Sequence, residues 1–235
     1  MRTDRNNDQL RKVEIIPDFT KVSGGSALIK WGNTQVLCTA MLDDKPMPFK
    51  EGTGEGWLTA EYAMLPSSTL TRKQREGSRP DGRSTEIKRL IGRSLREALD
   101  FKKLGERTIW IDCDVLTADG GTRTASITGA YVALKLAVEK WLKDGLLSED
   151  PMVHQITAVS VGIVEGEPML DLKYVEDSHA DVDMNVVTTE EGRFVEIQGT
   201  GEGRSFTGEE LTKLLSLAEK GSKELREIQL KALTK

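Results

Sequence analysis

Asp119-Gly120-Gly121-Thr122-Arg123-Thr124-Ala125-Ser126 is a stretch whose residue types add up to a binding chemistry. Paired glycines let the backbone approach a ligand closely. Free N–H groups and the dipole at a helix N-terminus favour an anion, and Thr122, Arg123 and Thr124 add donors suited to phosphate oxygens. The same residues are compatible with an ordinary strand-to-helix turn capped by Thr or Ser. They are not a P-loop, because G-x-x-x-x-G-K-[ST] is absent, and Gly52-Thr53-Gly54-Glu55-Gly56 does not match the dinucleotide fingerprint.

A second group is acidic: Asp171, Glu176, Asp177, Asp181 and Asp183 fall within 13 residues. Asp181 and Asp183, two apart at the start of a strand, would share a face, with Asp177 supplied by the preceding loop. Such oxygen ligands suit Mg²⁺ or Mn²⁺ beside a transferring phosphoryl group, whereas a solvated acidic loop is the plainer alternative. Asp181-x-Asp183-x-Asn185 imitates the opening of an EF-hand loop, but Val186 stands where that loop needs Gly and Gly192 where it needs Glu. With single cysteines at Cys38 and Cys113, histidines only at His154 and His179, and no C-x-x-C, a zinc finger is excluded and two buried thiols are expected.

A third group is basic. Twelve Lys/Arg against six Asp/Glu between Arg72 and Arg107 give a local +6, leaving −11 elsewhere in a chain whose net charge is −5. The polar part from Arg72 to Arg83 has no apolar period and reads as a mobile loop able to grip phosphates. Phe101 is the one aromatic residue of the stretch, so recognition of an RNA backbone is favoured over base stacking. Several helix residues, Lys88, Arg89 and Arg96 in particular, read equally as a solvated charged face.

The elements that must position these groups follow from periodicity. Residues 11–65 are β-rich, with runs at 13–16, 27–31 and 36–42 and a hairpin turn at Gly32-Asn33. Apolar residues at helical spacing from Ile87 to Leu99 predict a helix over 84–101, followed by a strand over 107–115 and a helix over 126–142. Strands are expected at 156–164, 169–175, 182–188 and 193–198, and Thr207-Gly208-Glu209-Glu210 opens a last helix with a capping box. This order favours an α+β fold with a mixed sheet over alternating parallel α/β. No linker interrupts the 235 residues, so a single domain over 1–235 is expected, long enough to bury roughly 70% of its unfolded surface. Gly-Thr-Gly-Glu-Gly occurs at 52–56 and 199–203, which reads as two glycine loops more readily than as an internal repeat. No apolar run approaches the roughly 20 residues of a membrane span and the N-terminus has no apolar core, so a cytoplasmic protein is expected.

Several long motifs, in order, resemble bacterial ribonuclease PH: Gly56-Trp57-Leu58-Thr59-Ala60-Glu61-Tyr62-Ala63-Met64-Leu65-Pro66, then 86–96, then Asp112-Cys113-Asp114-Val115 through 120–130, and finally Glu176-Asp177-Ser178 with 183–187. The resemblance implies a phosphate-dependent 3′ to 5′ exoribonuclease that trims tRNA precursors and other RNA 3′ ends, releases nucleoside diphosphates and can run backwards as a nucleotidyltransferase. It implies a ribosomal-protein-S5-domain-2-like fold and a homo-oligomeric, hexameric ring built as a trimer of dimers. It also implies phosphate binding by Arg83, Gly121, Thr122 and Arg123, a Mg²⁺ (or Mn²⁺) site at Asp177 and Asp183, and tRNA contacts from Arg72, Arg75 and Arg79. Asp177, Asp183 and Arg123 would be the catalytic residues, with inorganic phosphate as co-substrate.

This chain departs from the family in reading Asp4-Arg5-Asn6 where Asp-Gly-Arg is usual, in a shorter loop before Arg83, and in Ser67 where a basic residue is common. Two other functions fit part of the pattern. A non-catalytic ring subunit would lack the aspartate pair or the phosphate loop, and a metabolite enzyme would have no use for the basic loop.

Overall fold

The computed structural model describes residues 2–75 and 82–234. Alternating apolar residues build β1 (Val13–Pro17), β2 (Gly25–Trp31) and β3 (Thr34–Asp43), with the expected Gly32-Asn33 turn joining β2 to β3. With β4 (Trp57–Met64) and β5 (Thr108–Thr117) they form a five-stranded sheet in the order β1-β2-β3-β5-β4, antiparallel except for the β4–β5 pair. A second sheet, antiparallel throughout, uses β6 (Ile156–Val164), β7 (Glu167–Leu170), β8 (Val182–Thr189) and β9 (Phe194–Gly201) in the order β7-β6-β8-β9.

The helices are α1 (Gly82–Arg96), α2 (Phe101–Leu104), α3 (Thr122–Lys143), α4 (Tyr174–Asp177) and α5 (Gly208–Leu233). A helix that is apolar on all sides has to be buried on all sides. From Thr124 to Leu134 α3 is such a helix: α3 lies against β2, β3 and β5 of one sheet and β6 of the other, and its buried apolar residues belong to one continuous core fed by both sheets. α1 covers β4, and α5 packs on β6, β7 and β1. Cys38 and Cys113 face each other across β3 and β5 as buried free thiols.

Three expected elements differ. The helix over 84–101 stops at Arg96; Ala98 and Leu99 are buried by a turn, Leu99 bridges to Met152, and the Asp100 side chain accepts from the Lys102 N–H to start the short α2. Apolar burial alone does not separate a last helical turn from a packed loop. The helix expected from Ser126 begins at Thr122, because Gly121 takes a left-handed conformation (φ 69°) as its N-cap. The strand expected over 169–175 ends at Leu170: Asp171 turns the chain with φ 58°, and α4 follows, with Glu176 accepting from the Lys173 N–H at 3.0 Å. The capping box at Thr207 forms as expected, with Glu210 N–H donating to the Thr207 hydroxyl at 3.2 Å. Gly-Thr-Gly-Glu-Gly is no structural repeat, since 52–56 precedes β4 whereas 199–201 end β9.

Because α3 serves both sheets, we propose that the chain unfolds as one unit. A Cβ at Gly25 would fall 2.5 Å from the Ala137 backbone nitrogen and closer still to the Ala133 carbonyl, forcing β2 off α3. Gly25→Ala is therefore expected to cost about 1–3 kcal/mol. In urea unfolding followed by tryptophan fluorescence and far-UV dichroism, the midpoints of both probes should fall together. Gly208→Ala, which meets nothing within 4 Å, should not lower them.

Candidate active site

The turn between β5 and α3 is held from behind. The Thr34 hydroxyl donates to the Gly120 carbonyl at 2.7 Å and accepts from the Asp119 N–H at 2.9 Å, while Arg11 donates to the carbonyls of Asp119 and Gly120. Gly120 (φ 78°) presses against the chain at Leu172–Tyr174, where a Cβ would meet the Leu172 carbonyl at 2.6 Å, so only glycine brings this turn against the segment leading into α4. Among the described residues no side chain caps α3 at Gly121, which leaves the first N–H groups of a 22-residue helix open to an anion. The Thr122 hydroxyl lies 2.9 Å from that of Tyr62. Arg123 gives one guanidinium nitrogen to Glu86 at 3.0 Å, while its Nε is buried with no hydrogen-bond partner among the described residues.

Opposite stand two carboxylates: Asp177 closes α4 and Asp183 is the second residue of β8. Burial, then the neighbouring Asp177, push the Asp183 carboxyl up to about 6, against the opposing pull of Arg123. Burial also raises Asp177, with Arg83 and Arg123 opposing. These groups share a cleft of about 730 Å³ lined by Arg83, Glu86, Arg123, Asp177, Asp183 and Glu202, among others. The cleft pairs anion donors with anionic oxygens, an arrangement that can hold a phosphate beside a divalent cation.

The five clustered acids do not act together. Asp171 is buried against Arg11 at 2.7 Å, Glu176 is bound by Arg2 at 2.7 Å, and Asp181 lies 3.9 Å from Arg204. Neighbours in sequence are thus sent to different partners by the turn at Asp171, and only Asp177 and Asp183 of the five line the cleft. Among the described residues no cluster of three or more His, Cys, Asp or Glu is placed to hold a metal. Two carboxylates do fit Mg²⁺, which keeps several waters and takes one or two carboxylates plus substrate phosphates. Burial is the main cause of their raised affinity for protons, with the neighbouring Asp177 adding to the rise at Asp183.

Arg72 and Arg75 are exposed and line a separate cavity of about 490 Å³ with Leu65, Pro66 and Leu70; Arg79 lies outside the described residues. Other cations of the basic stretch are matched by acids from outside it: Lys88 with Glu61 at 3.3 Å, Arg93 with Glu196 at 2.6 Å and Arg107 with Asp44 at 3.3 Å. Arg96 covers the Trp57 ring at 4.6 Å. Glu86, Gln198 and Glu202 are cleft residues that no local pattern singles out as such. Gln198 donates to Glu86 at 3.3 Å, and so steadies the partner of Arg123.

The family model for the 3′ exoribonuclease family, domain 1, matches residues 9–138, and that for domain 2 of the same family matches residues 154–221. A protein named ribonuclease PH from Syntrophomonas wolfei is 57% identical over 227 residues, covering 96% of this chain and 95% of the relative. This chain belongs to the ribonuclease PH family. A ribonuclease PH from Neisseria gonorrhoeae is 55% identical over 236 residues, covering 100% of this chain and 98% of its own. Among solved structures, the Archaeoglobus fulgidus exosome with RNA bound to the active site aligns with a TM-score of 0.79 at 28% identity, over 95% of this chain and 90% of that one. Rice Rrp46 aligns with a TM-score of 0.81 at 17% identity, over 99% of both chains, and shares the ribonuclease PH fold.

The raised Asp183 has a consequence for stability. Between its ordinary value of 3.8 and about 6, the folded chain keeps a proton there that the unfolded chain has released, so this group's contribution falls as pH rises through that window. Above it the penalty is at most about 3 kcal/mol. In EDTA at pH 7.5, Asp183→Asn is expected to raise the thermal midpoint, and the gain should vanish toward pH 4. Equal midpoints at both pH values would show that Asp183 bears no such penalty.

Proposed function

We propose that this chain is a phosphate-dependent 3′ to 5′ exoribonuclease that trims tRNA precursors, releasing nucleoside diphosphates, and that it can run in reverse as a nucleotidyltransferase. The observation that carries the reading is the Nε of Arg123, which has no hydrogen-bond partner among the described residues and is buried in a cleft that Asp177 and Asp183 also line. Phosphate would be held by the open N–H groups at Gly121 and Thr122, by the Arg123 guanidinium and by Arg83. Inorganic phosphate is already an anionic nucleophile at neutral pH, so the residues need only position it and offset charge, and no histidine base is required. An oxygen of the phosphate attacks the 3′-terminal phosphorus, the bond to the preceding 3′ oxygen breaks, and a nucleoside diphosphate leaves. Mg²⁺ or Mn²⁺ held by Asp177 and Asp183 would neutralise charge on the attacked group and the leaving oxygen.

The exposed Arg72 and Arg75, with Arg79, would grip the phosphates of the tRNA body ahead of the cleft. A hexameric ring of identical chains, a trimer of dimers, is the proposed assembly. It draws support from similarity to an archaeal exosome core, with a TM-score of 0.76 at 26% identity. A cytoplasmic location is proposed with it; no helix among the described residues is long and apolar enough to cross a membrane.

With 3′-extended tRNA, phosphate and Mg²⁺, the mononucleotide product should be a nucleoside diphosphate, and omission of phosphate or addition of EDTA should abolish it. Arg123→Ala and Asp183→Asn are each expected to lower turnover about 100- to 1000-fold in a folded protein. Near-normal turnover in either variant overturns the assignment. Replacing Arg72, Arg75 and Arg79 together by Ala should slow the tRNA precursor more than a short oligonucleotide and flatten the salt dependence of binding. Equal loss on both substrates would remove these arginines from tRNA recognition.

A further inference from the structure

The N-terminal segment reaches across to the wall of the cleft that carries Asp177. The Arg2 side chain is fully buried (0% exposed) and forks onto Glu176, Nε to Oε1 and Nη2 to Oε2 at 2.7 Å each, while Nη1 donates to the Leu170 carbonyl at 3.0 Å. Arg5 donates to the same Glu176 oxygen at 3.3 Å and to the Asp171 carbonyl. Glu176 immediately precedes Asp177 on α4, a helix of four residues that is too short to be stable by itself. Further along the same segment, Arg11 binds Asp171 and the carbonyls of Asp119 and Gly120. One stretch of chain therefore grips both the anion-binding turn and the carboxylate wall. Neither Arg2 nor Arg5 lines the cleft, and both lie before residue 9, where the match to the first family model begins.

We propose that Arg2 and Arg5 are positioning residues which, through Glu176, lock α4 so that Asp177 stays in the cleft with Asp183, the two residues that would hold a divalent cation. This inference rests on the reading of that pair as the metal site. Like charges drive the two carboxylates apart whenever no cation lies between them, and a four-residue helix offers little resistance. The planar, two-bond fork of Arg2 supplies that resistance, with a directionality an ammonium group lacks.

The test compares the full chain with Arg2→Ala, Arg2→Lys and Asp8→Ala. Asp8 ties the same N-terminal segment to Lys220 of α5 at 2.6 Å without touching α4, so its loss loosens the segment alone. Mn²⁺ binding without RNA, hydrogen exchange over residues 172–180 and KM for phosphate are measured for each. Arg2→Ala is expected to weaken Mn²⁺ binding about 10- to 100-fold. It should speed exchange over 172–180 while α3 and α5 stay protected, and leave KM for phosphate unchanged. Arg2→Lys should recover part of the loss, and Asp8→Ala should behave as the unaltered chain. Unchanged exchange or unchanged Mn²⁺ affinity in Arg2→Ala overturns the inference, as does an Asp8→Ala protein that matches it or an unaltered chain that binds no Mn²⁺. Absence of phosphorolysis by the unaltered chain would overturn the proposed function instead, with the exchange and Mn²⁺ measurements still deciding the role of Arg2.

Discussion

Asp171 is the point at which the parts of the molecule are tied together. Its carboxylate accepts from the Arg11 backbone N–H at 2.6 Å, from the Arg11 guanidinium at 2.7 Å and from the Trp31 indole at 2.9 Å. Burial opposes the charge, yet Arg11 and these donors hold the carboxyl below its ordinary range. A buried ion pair of this kind adds little net stability over an apolar pair, but losing either partner would strand a charge in the interior. What it secures is geometry. Trp31 belongs to β2, Asp171 follows β7, and Arg11 also binds the turn before α3, so a single carboxylate relates both sheets to that turn. The positive φ of Asp171 is kept in place by those same bonds.

The cleft itself is arranged against its own stability. Two carboxylates sit close together under partial burial, and the nearby arginines only partly offset the cost. One of them, Arg123, has a buried nitrogen without a partner among the described residues. A fold optimised for stability would place an amide at 183 and a partner on that nitrogen. Both defects are of the sort a phosphate and a cation would relieve together, which links the energetics of the cleft to the proposed chemistry.

Much of this was legible locally. The glycine pair flanked by hydroxyl and arginine donors, placed between a strand and a helix, makes residues 119–124 a candidate anion-binding turn, because a helix N-terminus favours an anion wherever it falls. By spacing alone the aspartates were legible as a group but not as a pair, since nothing in the positions 171, 176, 177, 181 and 183 says that Asp171 bends the chain; it was the resemblance that singled out Asp177 and Asp183. The formal +6 between Arg72 and Arg107 overstated the charge open to RNA, because Glu61, Glu196 and Asp44 come from distant strands to meet Lys88, Arg93 and Arg107.

By itself, then, the sequence determined the longer elements, their order and the chemical types needed at the site, because hydrophobic period, turn residues and caps act over a few residues. The tertiary structure alone decided which acids face the cleft, which cations are spoken for, that Glu86, Gln198 and Glu202 border the site, and that Arg2 and Arg5 brace it. Those outcomes depend on contacts between residues up to 174 positions apart, as between Arg2 and Glu176, and no local pattern carries the information that sets them.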